Sequence, residues 1–344
     1  MAYTLPAEWA KQSAIMLTWP HQETDWSPFL SDIESVYVQL AKHITEQQLL
    51  VLACHNESIK LHVNELLKNA DINLEKVRWF IAPCNDTWAR DHGPLTLTDE
   101  DGNTQLLDFT FNAWGAKYES NFDNDITSHL VQQDFCRPTL SSKHSLILEG
   151  GSIESDGNGT LLTTTKCLLN PNRNAHLSQH QIEQELKTAL GMDKVIWLEH
   201  GHLAGDDTDA HVDTLARFAP EGIVYVQCTD KNDPHYIALN KMEQQLVKAT
   251  DKDNTPYTLF PLPMPNAKVD DNGELLPATY ANYLIINNAV LVPTYNDEND
   301  ETALRIIGLA HPERIIIGVD CSTVIKQFGS LHCLTMQIPA DVIH

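Results

Sequence analysis

Apolar residues along this chain alternate between two rhythms. Continuous apolar runs mark buried strands at 13–20 (Ala14-Ile15-Met16-Leu17, stopped by Pro20), 48–54 and 77–82. Between them Phe29, Ile33, Val36, Leu40 and Ile44 recur every three or four positions across 28–47, which predicts a helix, and 56–70 predicts a second. Further strands are expected at 94–98, 105–111, 145–149, 160–169, 194–198, 222–228 and 314–319. The best-marked helix follows Ser178. With Gln181 it forms a capping box, Ile182, Leu186, Ala189 and Leu190 share a face, and Gly191 can end it. Residues 235–250 and 299–309 also read as helices, and 280–295 as a hairpin turning at Asn287-Asn288. Strands alternating with helices place the chain in the α/β class. No linker or low-complexity tract divides it, so one domain over 1–344 is expected.

The formal charge is −24, from 47 Asp and Glu against 23 Lys and Arg. Such a field repels nucleic acid and anionic membranes and admits small cations as partners. No stretch reaches the ~18 apolar residues of a membrane span, and the first residues lack a basic segment followed by an apolar one, so no signal peptide is expected. The seven cysteines are dispersed and never form a Cys-x-x-Cys pair, which favours reduced thiols in a cytoplasm over disulfides or a zinc finger. Nucleic-acid and membrane partners are therefore not expected, and a homo-oligomer is compatible with the chain.

Four segments carry candidate chemistry. Residues 205–213 hold Asp206, Asp207, Asp209, His211 and Asp213 just before an apolar run. Read as a strand, His211-Val212-Asp213 puts a proton carrier and a fixed negative charge on one face; a capped turn with an incidental histidine is the plainer reading. With His200 and His202 upstream, His211 and Asp206 also allow a metal-dependent hydrolase. Asp86-Thr87-Trp88-Ala89-Arg90-Asp91-His92-Gly93-Pro94 suits a ligand-facing loop, with Asp91 for a cation and Trp88 offering a flat face, unless Arg90 and Asp91 simply pair. Glu149-Gly150-Gly151 puts a carboxylate where backbone can approach a ligand. In Gly329-Ser330-Leu331-His332-Cys333, the cysteine is either a nucleophile or a core residue.

Together these segments resemble the agmatine deiminase and bacterial peptidyl-arginine deiminase family of the pentein, guanidino-group modifying superfamily. The likeness runs through Leu5-Pro6-Ala7-Glu8-Trp9, Thr18-Trp19-Pro20-His21, Asp25-Trp26, Trp88 to Pro94, Phe111-Asn112-Ala113-Trp114-Gly115, Glu149-Gly150-Gly151, His211-Val212-Asp213, Tyr280-Ala281-Asn282-Tyr283 and Leu331-His332-Cys333-Leu334-Thr335. It implies a five-bladed, pseudo-symmetric α/β propeller of ββαβ-type units. It also implies Cys333 as nucleophile, His211 as general acid and base, Asp91 and Asp213 as guanidinium anchors, and Glu149 beside them. Trp88, Asn282, Trp114, Asp25 and Trp26 are the candidate substrate contacts, and no metal or cofactor is implied. The chain departs from the family pattern at Phe328, where another glycine is expected, and at Met336-Gln337 in place of paired glutamines. Agmatine is the expected substrate, with free or peptidyl arginine as the alternative; a guanidine-binding protein without activity is the reading from another class.

Overall fold

The structure is a computed structural model that describes residues 3–137 and 140–344. Strands pair locally, and five sheets repeat one pattern, an antiparallel pair extended by a parallel strand. Leu95–Thr98 pairs antiparallel with Thr104–Thr110, which pairs parallel with Leu140–Ile147. The same order recurs in Ile153–Ser155, Thr160–Thr164 and Lys194–Leu198. It recurs again in Ala216–Ala219, Gly222–Val226 and Leu259–Leu262, and in Leu284–Ile286, Ala289–Thr294 and Ile315–Asp320. A parallel neighbour cannot be reached by a tight turn, so each crossover carries a helix: Ile126–Leu130, Gln179–Leu190, Tyr236–Leu246 and Asp300–Ala310 in turn.

The fifth sheet closes the chain on itself. Gln12–Thr18 runs parallel to Leu49–Cys54 through the helix Leu30–Gln47, and Val77–Ile81 joins beyond. Its antiparallel neighbour is Thr335–Pro339, from the far end of the sequence. Helices lay their apolar faces on these sheets: Ile33, Val36, Leu40 and Ile44 are buried as their spacing requires. Ser178 and Gln181 form the expected capping box, and Gly191 ends that helix in the left-handed conformation.

Three expectations change. Val212–Thr214 is a 3-10 turn rather than part of a strand, because the Thr214 hydroxyl donates back to the His211 carbonyl at 2.8 Å. The strand expected over 160–169 stops at Thr164, whose side chain caps the short helix Thr165–Leu168. Leu259–Leu262, the third strand of the sheet that holds Gly222–Val226, carries Pro261 and so gave no strand signal; it pairs on one side only, where proline is tolerated. No helix among the described residues is long and apolar enough to cross a membrane.

Candidate active site

The segment between Phe328 and Thr335 delivers a thiol to the base of a cavity. Gly329 has to be glycine, since a Cβ there would lie 2.2 Å from the Trp88 ring. Phe328 occupies the left-handed region at φ 65° that a glycine would take without strain. The Asn282 side-chain carbonyl accepts the Cys333 N–H at 3.2 Å, and the Arg90 N–H donates to the Cys333 carbonyl at 3.2 Å. Cys333 is thus fixed from both sides, with Sγ 3.8 Å from Asp213 Oδ2.

Arg90 and Asp91, adjacent on the short helix Ala89–His92, point apart instead of pairing. Arg90 is buried against Glu8 (2.9 Å) and Gln337 (2.5 Å), which gives Gln337 a role where the family shows paired glutamines. Asp91 turns to the cavity and accepts from Trp114 Nε1 at 2.9 Å and from the Gly151 N–H at 3.0 Å. His211 Nδ1 lies 3.7 Å from Asp91 Oδ1, although neither imidazole nitrogen has a hydrogen-bond partner. A Cβ on Gly151 would sit 2.6 to 3.0 Å from His211 Nδ1, Asp91 Oδ1 and Asp213 Oδ2. The bare glycine therefore marks the spot where those groups converge. Glu149 lies behind them, held by Arg173 Nε at 2.8 Å, while Arg173 Nη1 reaches Asp209 at 2.8 Å.

His332 is the residue that sequence reasoning left without a role. Its Nδ1 is 2.7 Å from Asp213 Oδ2 and its Nε2 is 2.7 Å from Glu8 Oε1. A carboxylate has no proton to give, so both ring nitrogens must donate and the ring is an imidazolium. Burial, then the charges of Arg217 and Arg90, lower the His332 pKa from its ordinary value, against the opposing pull of Glu8 and of the hydrogen bond to Asp213; the two 2.7 Å contacts to carboxylates are what keep the proton on the ring. Glu8 also binds Arg217, which pairs with Glu154 in turn. Three cations thus face the three carboxylates of Glu8, Glu154 and Asp213 behind the thiol. Of this cluster, Glu154 and Arg217 left no trace in the sequence, whereas Glu8, Arg90, Asp213 and His332 fall in segments the family likeness covers.

Electrostatics separates the groups that face one another. Burial, then the charges of Asp213 and Asp91, push the Cys333 thiol well above its ordinary value. Burial, then Asp213 and Glu149, raise Asp91 to about 8. Burial would raise Asp213 too, but its hydrogen bond and ion pair with His332 hold it below the ordinary value. Burial lowers His211 to about 3, so the empty site holds a neutral thiol beside a neutral imidazole.

The cavity has a volume of about 370 Å³. Asp91 and Cys333 form its base, with Trp88, Trp114 and Asp25 in its walls, whereas His211, Asp213 and Glu149 lie buried behind it. Trp114 takes φ 55°, backbone strain at the point where it grips Asp91. Asn282 and Trp26 do not line the cavity. Asn282 holds the Cys333 backbone, and Trp26 is fully buried behind Trp88, donating to Thr87 at 2.8 Å. Seven carboxylates line the space (Glu23, Asp25, Asp86, Asp91, Glu119, Asp123 and Asp207), and no Lys or Arg is among the lining residues. Of the alternative metal quartet, Asp206 spends both oxygens closing its own turn on Thr208 and Ala210, while His200 and His202 line a separate depression.

This fold and site define an enzyme that acts on guanidino groups. The family profile of Porphyromonas-type peptidyl-arginine deiminase matches residues 4–339, and the chain belongs to that family. It is 31% identical to the agmatine deiminase of Stutzerimonas stutzeri (strain A1501) over 99% of this chain and 96% of that one. A solved C. jejuni agmatine deiminase, a cysteine-to-serine variant with substrate bound, is 40% identical with a TM-score of 0.88, covering 98% of this chain and 96% of its own. A Porphyromonas gingivalis structure described as a putative arginine deiminase is 44% identical with a TM-score of 0.91 over the whole of both chains.

Proposed function

We propose that this chain is a cysteine-dependent hydrolase that converts agmatine and water to N-carbamoylputrescine and ammonia, its five sheets arranged about a pseudo-fivefold axis with Cys333 near the centre. One observation carries the choice of substrate: the cavity above Cys333 is lined by seven carboxylates and by no Lys or Arg. Agmatine is cationic at both ends and suits such a lining, whereas the carboxylate of free arginine would find no Lys or Arg in it.

The guanidinium enters over Cys333, its charge met by Asp91 and Asp213 and its plane walled by Trp88 and Trp114. The incoming cation favours ionisation of both Asp91 and the thiol, and the Cys333 proton passes to neutral His211. The thiolate attacks the central carbon to form a C–S bond and a tetrahedral adduct. His211 returns the proton to one amino nitrogen, the C–N bond breaks, and ammonia leaves a thiouronium on sulfur. Water, deprotonated by His211, then attacks the same carbon. The C–S bond breaks, the ureido product leaves, and the thiolate recovers its proton from His211. Asp25 and the neighbouring Asp86 receive the ammonium tail. Steady-state rates on agmatine, free arginine and a peptidyl arginine test this reading, together with mass spectrometry of Cys333 during turnover. A faster rate on arginine would overturn the substrate, and the absence of any adduct on Cys333 would overturn the mechanism.

A further inference from the structure

One wall of the cavity holds a second cluster that the reaction does not use. Cys84 Sγ lies 3.4 Å from His21 Nε2 and 3.9 Å from His55 Nδ1, and all three atoms fall within 4.8 Å of one another. The two imidazole rings are 4.3 Å apart at their centroids. Zinc bound tetrahedrally by sulfur at about 2.3 Å and nitrogen at about 2.05 Å requires S···N edges of about 3.6 Å. The two observed S···N edges, 3.4 and 3.9 Å, bracket that value. Among the described residues, Cys84 Sγ is the side-chain partner of His21 Nε2 at 3.4 Å, while His55 Nδ1 accepts the Cys84 N–H at 3.2 Å, a bond that an ion would replace. Glu23 stands 3.8 Å from the far nitrogen of His55, where a carboxylate orients a ligating imidazole. Glu23, His55 and Cys84 all line the substrate cavity, which leaves a fourth coordination position open to it.

We propose that His21, His55 and Cys84 form a binding site for a zinc-class divalent cation in the cavity wall, and that an ion held there competes with the cationic substrate. Cys84 ligates as thiolate, its proton passing to solvent as the metal–sulfur bond forms. Two neutral imidazoles and one thiolate leave a net positive charge beside Asp86 and Asp123, where the tail of a cationic substrate would otherwise lie. The competition, though not the binding, rests on the guanidine reading of the cavity.

The test uses Cys333→Ala protein, which removes the cavity's other thiol, titrated with Co²⁺ as the spectroscopic probe. One equivalent should bind with a thiolate-to-cobalt charge-transfer band and tetrahedral d–d bands, and Zn²⁺ should displace it. Adding Cys84→Ser should abolish the charge-transfer band. Adding His55→Ala, at a half-buried position, should weaken cobalt binding by about tenfold or more, with an unchanged far-ultraviolet circular dichroism spectrum as the control for folding. The site is overturned if no such band forms, or if it survives both changes. In the otherwise unaltered enzyme, Zn²⁺ should raise KM for agmatine with kcat unchanged, and less so in His55→Ala; an effect on kcat alone overturns the competition. Because the cobalt titration needs no turnover, it stays readable even if the substrate proves to be another guanidine.

Discussion

Replacing Asp213 by Asn should make the empty enzyme's thiol more reactive and turnover slower. The two effects have opposite signs because Asp213 does two things. In the empty site its charge lies 3.8 Å from Cys333 Sγ and opposes thiolate formation. In the mechanism proposed above it also answers the guanidinium. At an effective dielectric constant of about 20, that separation gives about 4 kcal/mol of repulsion, which is about 10³-fold in thiolate population. Part of this gain is returned, since the nucleophilicity of a thiolate falls with its pKa at a slope of about 0.4–0.5, leaving about fiftyfold. Alkylation of Cys333 by the neutral reagent iodoacetamide, at a pH below the thiol pKa and followed by peptide mass, should thus run about fiftyfold faster in Asp213→Asn. Turnover should fall by about 10²- to 5 × 10³-fold, the effect of removing one partner from a buried charge pair worth about 3–5 kcal/mol. Alkylation no faster than in the unaltered enzyme would refute the placement of the Asp213 charge against the thiol. An empty enzyme whose thiol titrates below about 7 would do the same, pointing to a standing ion pair of Cys333 with His211.

Further outcomes follow from the same geometry. Substrate capture needs Asp91 ionised, so kcat/KM should rise with pH through about 8, the value of Asp91 in the empty site; a profile flat from about 6 to 9 would contradict this. Half-buried Asp86 and buried Asp91 and Asp123 are all raised, to about 7, 8 and 8. Their folded values exceed the unfolded ones, so their contribution to stability is complete below about pH 4 and is lost as pH rises to about 8. Over the upper part of that window, from about pH 5.5 to about pH 8, the melting temperature should fall, and agmatine bound to Cys333→Ala protein should restore more of it at the higher pH. Gly329→Ala pushes a Cβ into the Trp88 ring and should lower stability by about 1–3 kcal/mol in a denaturant titration, with a loss of activity larger than the stability loss explains. Asn282→Ala leaves the Cys333 N–H without its acceptor; kcat should fall while KM changes little, because Asn282 does not line the cavity.

Local patterns made most of the elements legible. Apolar runs gave the strands 49–54, 194–198 and 222–226, and the capping box at Ser178 gave a helix start, because those signals are complete within a few residues. The convergence of Asp91, His211, Asp213 and Cys333 was legible only through resemblance to a family, since nothing local ties position 91 to position 333. Trp26 shows the limit of reading residue types: an aromatic beside an acid suggested a contact, yet the indole packs in the core and Asp25 alone reaches the cavity. The chain Glu8–His332–Asp213 joins positions 8, 213 and 332, and no periodicity records such a union. His332 looked like a mere neighbour of Cys333 and proved to bridge Asp213 and Glu8 at 2.7 Å each.

The pairing of Gln12–Thr18 with Thr335–Pro339 sets an order in time as well as in space. A ribosome makes the first of these strands early and the second after every other strand of the five sheets. The thiol that precedes Thr335 by two residues is therefore the last reactive group to emerge, and the acids that confront it are already in place. A nascent chain would stay chemically silent until these two strands pair, so the appearance of activity during synthesis would time that closure.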